Sequence, residues 1–305
     1  MTVLAGIDCG TNSTRLLVAG DDGATVERLM RITRLGQGVD AGRRLHPDAV
    51  ARVVDVLGEF REVLDHHGVD RVRATATSAA RDAANRDELF DAAEAVVGVR
   101  PELLDGLEEA RLSFRGATAG LPPGGPPVLV ADIGGGSTEL VVGVPGEEPA
   151  GAVSLDVGCV RLTERWIEHD PARPDELANA LGEVRDLLED ADRQVPQLAD
   201  AERLLGLAGT VSTVAALDLG LGTYDRDKVH HHLLPRDVVE DWFRTMAMGD
   251  RDDRLGNPGL EEGRADVIVG GLCVLVSLLR HRGLGSCLVS ESDILDGLCL
   301  SLLDR

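Results

Sequence analysis

A chain of 305 residues with 43% hydrophobic but only 2% aromatic content holds enough apolar material for two domains, whose cores Leu, Val and Ala must fill. Its net charge of −22 repels polyanions at long range. That argues against nucleic-acid binding and leaves any polyanionic ligand to local donors and a metal ion. No apolar run reaches the roughly 18–20 residues of a membrane span, and Met1 to Val18 lacks a signal-peptide pattern, so a cytoplasmic protein is expected.

The charge is unevenly spread: the first 100 residues carry 13 arginines against 16 acidic residues, and nearly all the excess acid lies beyond them. Lys228 is the only lysine and follows no glycine-rich loop, which excludes a Walker-type phosphate loop. Cys9, Cys159, Cys273, Cys287 and Cys299 show no C-x-x-C spacing and read as reduced core residues.

In chain order, an opening hairpin at Ile7 to Val18 precedes a long amphipathic helix from Pro47 to about His67. The segment Asp70 to Thr77 alternates as a strand. Ser78 to Asn85 and Asp87 to Val97 follow as helix, Val99 to Leu103 as a short strand, and Leu107 to Gly116 as helix. Leu121 to Pro127 (LPPGGPP) is the clearest linker. Beyond it come strands at Val128 to Ala131, Leu140 to Val144, Ala152 to Leu155, Leu204 to Leu207 and Cys287 to Val289. Helices are expected at 160–168, 174–192, 210–218, 236–248, 264–281 and 293–303.

Ile7 to Val18 (IDCGTNSTRLLV) recurs at Ala131 to Val142 (ADIGGGSTELVV), offset by 124 residues. Each copy reads as a strand ending at an Asp, a turn, and a second strand. Such turns gather backbone N–H groups that suit a phosphate. The candidates are Thr11, Asn12 and Ser13 in the first turn and Gly135, Gly136, Ser137 and Thr138 in the second, where Gly134-Gly135-Gly136 can adopt positive φ. Asp132, with Asp8 as its positional twin, is placed to hold Mg²⁺ or another divalent cation such as Mn²⁺. Arg81 lies on a strand-to-helix turn and offers a planar fork of donors, and Thr210 opens a helix with free N–H groups. Two α/β halves opening alike indicate a duplicated fold with a cleft between the copies: residues 1–124, joined by helix 293–303, and residues 125–305. His230-His231-His232 has no matching carboxylate cluster, and zinc is not expected there.

Seven segments in order, IDCGTNSTRL, ATSAARDAAN, LEEARLSFRG, DIGGGSTEL, SLDVGCVRL, LAGTVSTVAAL and GRADVIVGG, resemble the exopolyphosphatase and guanosine pentaphosphate phosphatase (Ppx/GppA) family over nearly the whole chain. The resemblance implies two ribonuclease-H-like domains of the actin, hexokinase and Hsp70 type. It also implies an interdomain active-site cleft and release of orthophosphate from inorganic polyphosphate or guanosine pentaphosphate.

In the motif E-E-A-R-L the glutamate before alanine matches the family's catalytic residue, which makes Glu109 the expected general base, with Glu108 the alternative in register. Arg15 and Arg264 match family arginines and join the phosphate-binding set. A nucleotide-binding kinase or actin-like protein is the alternative from another class. It would need an acceptor site and an adenosine-binding glycine pair, whereas Gly209 is followed by Thr210. The sequence leaves a homodimer open and implies neither a nucleic-acid nor a membrane partner.

Overall fold

The computed structural model describes residues 2–304 and divides into two compact α/β units. One runs to Gly116 and is rejoined by the chain from Ile294; the other is Ala117–Asp293.

In the first unit, β1 (Val3–Cys9), β2 (Ser13–Gly20) and β3 (Thr25–Ile32) form an antiparallel meander. Helices α1 (Val39–Gly42) and α2 (Pro47–His66) lead to β4 (Arg71–Ala76), which pairs parallel with β1. Helices α3 (Ser78–Asp82) and α4 (Arg86–Val97), strand β5 (Glu102–Leu103) and helix α5 (Gly106–Thr118) follow. The sheet order β3-β2-β1-β4-β5 is the ribonuclease-H-like one that the resemblance implies. Pro47 fits the first helical position of α2, where its missing N–H costs nothing, and His46 Nδ1 accepts from Asp48 N at 3.2 Å.

The period-2 alternation of β2 serves two cores. Leu16 and Val18 join Val53, Leu57, Phe60 and Leu64 of α2, whereas Leu17 and Ala19 join Leu112 of α5 and Ile294, Leu295 and Leu298. The latter three belong to α13 (Ile294–Leu303), the last helix of the chain. Its approach to β1 and α5 is close. A side chain on Gly6 would meet Leu295 O at 3.1 Å, and one on Gly297 would run into Leu112 O. Each large apolar residue buried there contributes about 1.5–3 kcal/mol.

The second unit repeats the plan. Strands β6 (Val128–Ile133), β7 (Thr138–Gly143) and β8 (Gly151–Leu155) form the meander; α6 (Cys159–Trp166) and α7 (Pro174–Gln194) lead to β9 (Arg203–Leu207), parallel to β6. Then come α8 (Ala208–Asp218), α9 (Arg226–Val229), β10 (Leu233–Pro235), α10 (Arg236–Met248), α11 (Arg251–Leu255), α12 (Ile268–Arg282) and β11 (Ser286–Val289). The order β10-β11-β9-β6-β7-β8 is the first sheet's order, read from the other end, with β10 as an added edge.

The division falls at 116/117 rather than the expected 124/125. Helix α5 runs on to Thr118, and the Pro-Gly stretch is tied to the β7–β8 connection by Gly124 N–H donating to Pro145 O at 2.9 Å. The helix expected from residue 264 starts at Ile268, because Glu262–Arg264 is a short 3₁₀ turn. Among the described residues no helix is long and apolar enough to cross a membrane.

Candidate active site

The two repeated turns have one geometry. Gly10 N–H donates to Ser13 O at 3.0 Å, and Gly134 N–H to Ser137 O at 3.0 Å. In both, the turn carbonyls are occupied from outside. Thr11 O accepts from Gly36 N at 2.8 Å, and Asn12 O from Thr33 N at 3.0 Å and Arg34 N at 2.9 Å. In the second turn, Gly134 O accepts from Cys159 N at 2.9 Å and Gly135 O from Val160 N at 2.8 Å, both at the start of α6.

A trans peptide points its N–H opposite to its C=O. Fixing the carbonyls of Thr11 and Asn12 therefore aims the N–H groups of Asn12 and Ser13 the other way, and fixing those of Gly134 and Gly135 does the same for Gly135 and Gly136. Each turn presents a concave set of donors suited to an anion. The Asn12 side chain adds to this, since its Nδ2 is buried and makes no hydrogen bond within the chain although the residue is only 8% exposed. A buried amide left unpaired is costly, and a bound oxyanion would satisfy it.

Gly134, Gly135 and Gly136 do not use positive φ, contrary to expectation. The tight constraint is packing from the far side: a Cβ on Gly158 would fall 2.6 Å from Gly134 O and from Gly135 C and O. Thr138 also departs from its expected role. Its hydroxyl donates to Val157 O at 2.6 Å, because strand alternation puts it on the opposite face from Ser137. Thr11 is buried against Gly36, where a side chain would strike its methyl group.

The neighbouring glutamates of α5 have separate surroundings. The Glu109 side chain is 11% exposed and its Oε2 accepts from Arg81 Nη1 at 2.5 Å, while that of Glu108 is 41% exposed and lies 3.8 Å from Arg73. Successive helical residues differ by about 100°, which sends one inward and the other outward. Asp105 Oδ1 accepts from the N–H groups of Leu107 and Glu108 and so starts this helix in register.

Arg81, a phosphate candidate from the sequence, bonds Glu109 and Leu104 O, the latter at 3.1 Å. Arg15 donates to Asp8 Oδ2 through Nη2 at 2.6 Å and Nε at 3.2 Å, which ties up one oxygen of that metal candidate. Arg264 pairs with Glu261 at 2.9 Å. Its guanidinium covers the Cα of Gly209, where any side chain would collide with it. That contact accounts for glycine before Thr210. Thr210 itself is buried against Gly271, where a Cβ would strike its Oγ1, so its hydroxyl faces α12. What Thr210 offers at the helix start is its backbone N–H.

Asp132, 6% exposed, sits directly opposite Glu139 in the β6–β7 ladder, and Glu139 is 1% exposed with Oε1 accepting from Ser154 Oγ at 2.7 Å. Two buried carboxylates in register disfavour each other unless positive charge lies near. The same register position in the first unit is Asp8 opposite Arg15, and the two pair through Asp8 Oδ2. The repeat sets Glu139 at the position of Arg15, and the β6–β7 register puts it on the same face as Asp132. One further residue at the second turn is not legible in the sequence: Arg161, whose Nε donates to Gly136 O at 2.6 Å.

The histidine tract is engaged elsewhere. His230 and His231 stack with centroids 3.8 Å apart, His230 Nδ1 accepts from Glu291 N, and His232 pairs with Asp218. Among the described residues, the one group of three potential ligands close enough for a metal is Glu168, His169 and Glu176, away from both turns in sequence. Glu176 there caps α7 by accepting from Arg173 N at 2.8 Å.

The profile of the Ppx/GppA phosphatase family matches residues 17–305. Exopolyphosphatase 2 of Mycobacterium tuberculosis is 45% identical over 320 aligned positions, covering 99% of each chain. A solved exopolyphosphatase-like protein superposes with a TM-score of 0.94 at 37% identity, covering 100% of this chain and 99% of the other. The exopolyphosphatase of Cytophaga hutchinsonii gives 0.91 at 29% identity over 99% and 98%. With the repeated anion-directed turns and the buried glutamate of α5, these matches establish that the chain belongs to the Ppx/GppA phosphatase family.

Proposed function

We propose that this protein is an exopolyphosphatase that hydrolyses the terminal phosphoanhydride of inorganic polyphosphate. The observation that carries this reading is that each unit has a turn with its carbonyls tied back and its donors turned outward, which suits phosphoryl oxygens without a lysine-bearing loop. Glu109 is the general base. It takes a proton from water as the water oxygen bonds to the terminal phosphorus, and the bridging P–O bond breaks to release orthophosphate and a chain one unit shorter. Arg81 holds the Glu109 carboxylate in place.

The residues also suit Mg²⁺ or Mn²⁺. Asp132 and Glu139 form the buried carboxylate pair that would hold it, and a hard cation of this kind needs only one or two protein carboxylates beside substrate oxygens and water. When bound, it would supply neutralisation of charge on the phosphoryl oxygens. Asp8 is the lesser candidate because Arg15 occupies its Oδ2. A cytoplasmic setting is in keeping with five buried cysteines, none of them in a disulfide.

The test is phosphate release, side by side, from short polyphosphate, long polyphosphate, guanosine pentaphosphate and ATP, with and without Mg²⁺. Polyphosphate is expected to be the best substrate and to require no acceptor. Preference for guanosine pentaphosphate, which ends in the same anhydride, would reassign the substrate, and release from none of the four would overturn the hydrolase reading.

A further inference from the structure

The helix α6 start is more than a structural cap on the second turn. It occupies all three consecutive glycine carbonyls: Cys159 N–H bonds Gly134 O, Val160 N–H and Arg161 N–H bond Gly135 O at 2.8 and 3.1 Å, and Arg161 Nε bonds Gly136 O at 2.6 Å. The first two are backbone contacts that any residue could make. The third is made by a side chain, and that side chain is buried and charged. Burying an arginine is expensive and persists where specific partners hold it.

Gly136 O and Ser137 N–H belong to one peptide unit. The Arg161 bond therefore sets the direction of the Ser137 N–H, the last donor of the turn. Without it, this peptide could rotate and turn a carbonyl dipole toward the anion, because glycine at 136 offers little steric resistance. In the first unit the corresponding carbonyl, Asn12 O, is held by two backbone N–H groups, so no side chain is needed there.

We propose that Arg161 is a positioning residue for substrate phosphate: it acts through the Gly136–Ser137 peptide and serves binding rather than the proton transfer at Glu109. The inference rests on the reading of the second turn as a phosphate site.

The test compares wild type with Arg161→Lys and Arg161→Met, reading KM and kcat on short polyphosphate and, separately, binding of inorganic tripolyphosphate by calorimetry without metal. Loss of a charge-assisted hydrogen bond predicts about ten-fold weaker tripolyphosphate binding and a similar rise in KM for Arg161→Met, with kcat changed much less. Arg161→Lys should recover part of the loss, and added guanidinium at millimolar concentration should restore Arg161→Met but not Ser137→Ala. Unchanged KM and tripolyphosphate affinity in a cooperatively melting Arg161→Met protein would overturn the proposal, as would a fall in kcat alone. If Arg161→Met does not fold, Arg161→Lys decides, since wild-type affinity without any change in KM or Kd refutes the need for a guanidinium. Failure of wild type itself to bind tripolyphosphate would instead refute the phosphate-site reading beneath it.

Discussion

Arg81 Nη1 lies 2.5 Å from Glu109 Oε2, and the same nitrogen donates to Leu104 O at 3.1 Å. One guanidinium on α3 thus joins the glutamate of α5 to the residue that follows β5. The fork fixes where the carboxylate sits before any substrate arrives, which matters for a base that must meet a water in line with phosphorus.

Glu109→Gln is expected to lower phosphate release at least ~100-fold with little change in KM, because the amide keeps the shape and loses the basicity. Glu108→Gln should remain within a few fold of wild type, as that side chain points to Arg73 and solvent. Steady-state kinetics on both variants separates the neighbours, and equal losses would contradict their assignment.

Asp132→Asn should raise the Mg²⁺ concentration needed for half-maximal activity by roughly ten-fold or more, and Glu139→Gln should act in the same direction. A metal titration at saturating polyphosphate reads this directly. Asp8→Asn is expected to act mainly through the loss of its Arg15 pair and to shift the titration less.

Gly297→Ala should destabilise the first unit by about 1–3 kcal/mol or more, since the new methyl group is driven into the Leu112 carbonyl between α13 and α5. Urea unfolding followed by circular dichroism measures it. The same substitution at Gly182, where nothing lies within 4 Å of the added atom, should be neutral or stabilising, as glycine is a poor helix former.

Glu176 accepts the backbone N–H of Arg173, bonds His169 and takes a further backbone N–H from Glu168, which together lower its carboxyl from 4.5 to about 2. A depressed carboxyl contributes stability that is fully present above its unfolded value near 4.5 and is lost as pH falls toward 2. The melting temperature of Glu176→Gln should therefore fall below wild type at pH 7, and the gap should narrow progressively below pH 4.5. A gap independent of pH would mean that the capping charge contributes nothing.

The α/β architecture, the duplication and most elements were legible because long periodic segments, such as the one centred on Val53, Leu57, Phe60 and Leu64, report their own burial. Strand β3 escaped because it is an edge strand with no buried residue, and β10 because three residues carry no period. The boundary at 116/117 and the docking of α13 depend on contacts far apart in sequence.

The candidate site divides along the same line. The repeated strand-turn-strand segments at Asp8 and Asp132, and the glutamate pair of α5, were determined by sequence alone, since residue type, spacing and local hydrogen bonding specify a turn. Which glutamate turns inward, that the Thr138 hydroxyl faces Val157, that Glu139 joins Asp132 and that Arg161 holds Gly136 were decided only by tertiary structure. Direction and burial of a side chain are properties of what packs against it, and those partners lie from 19 to 28 residues away along the chain in the Thr138, Arg161 and Glu109 contacts.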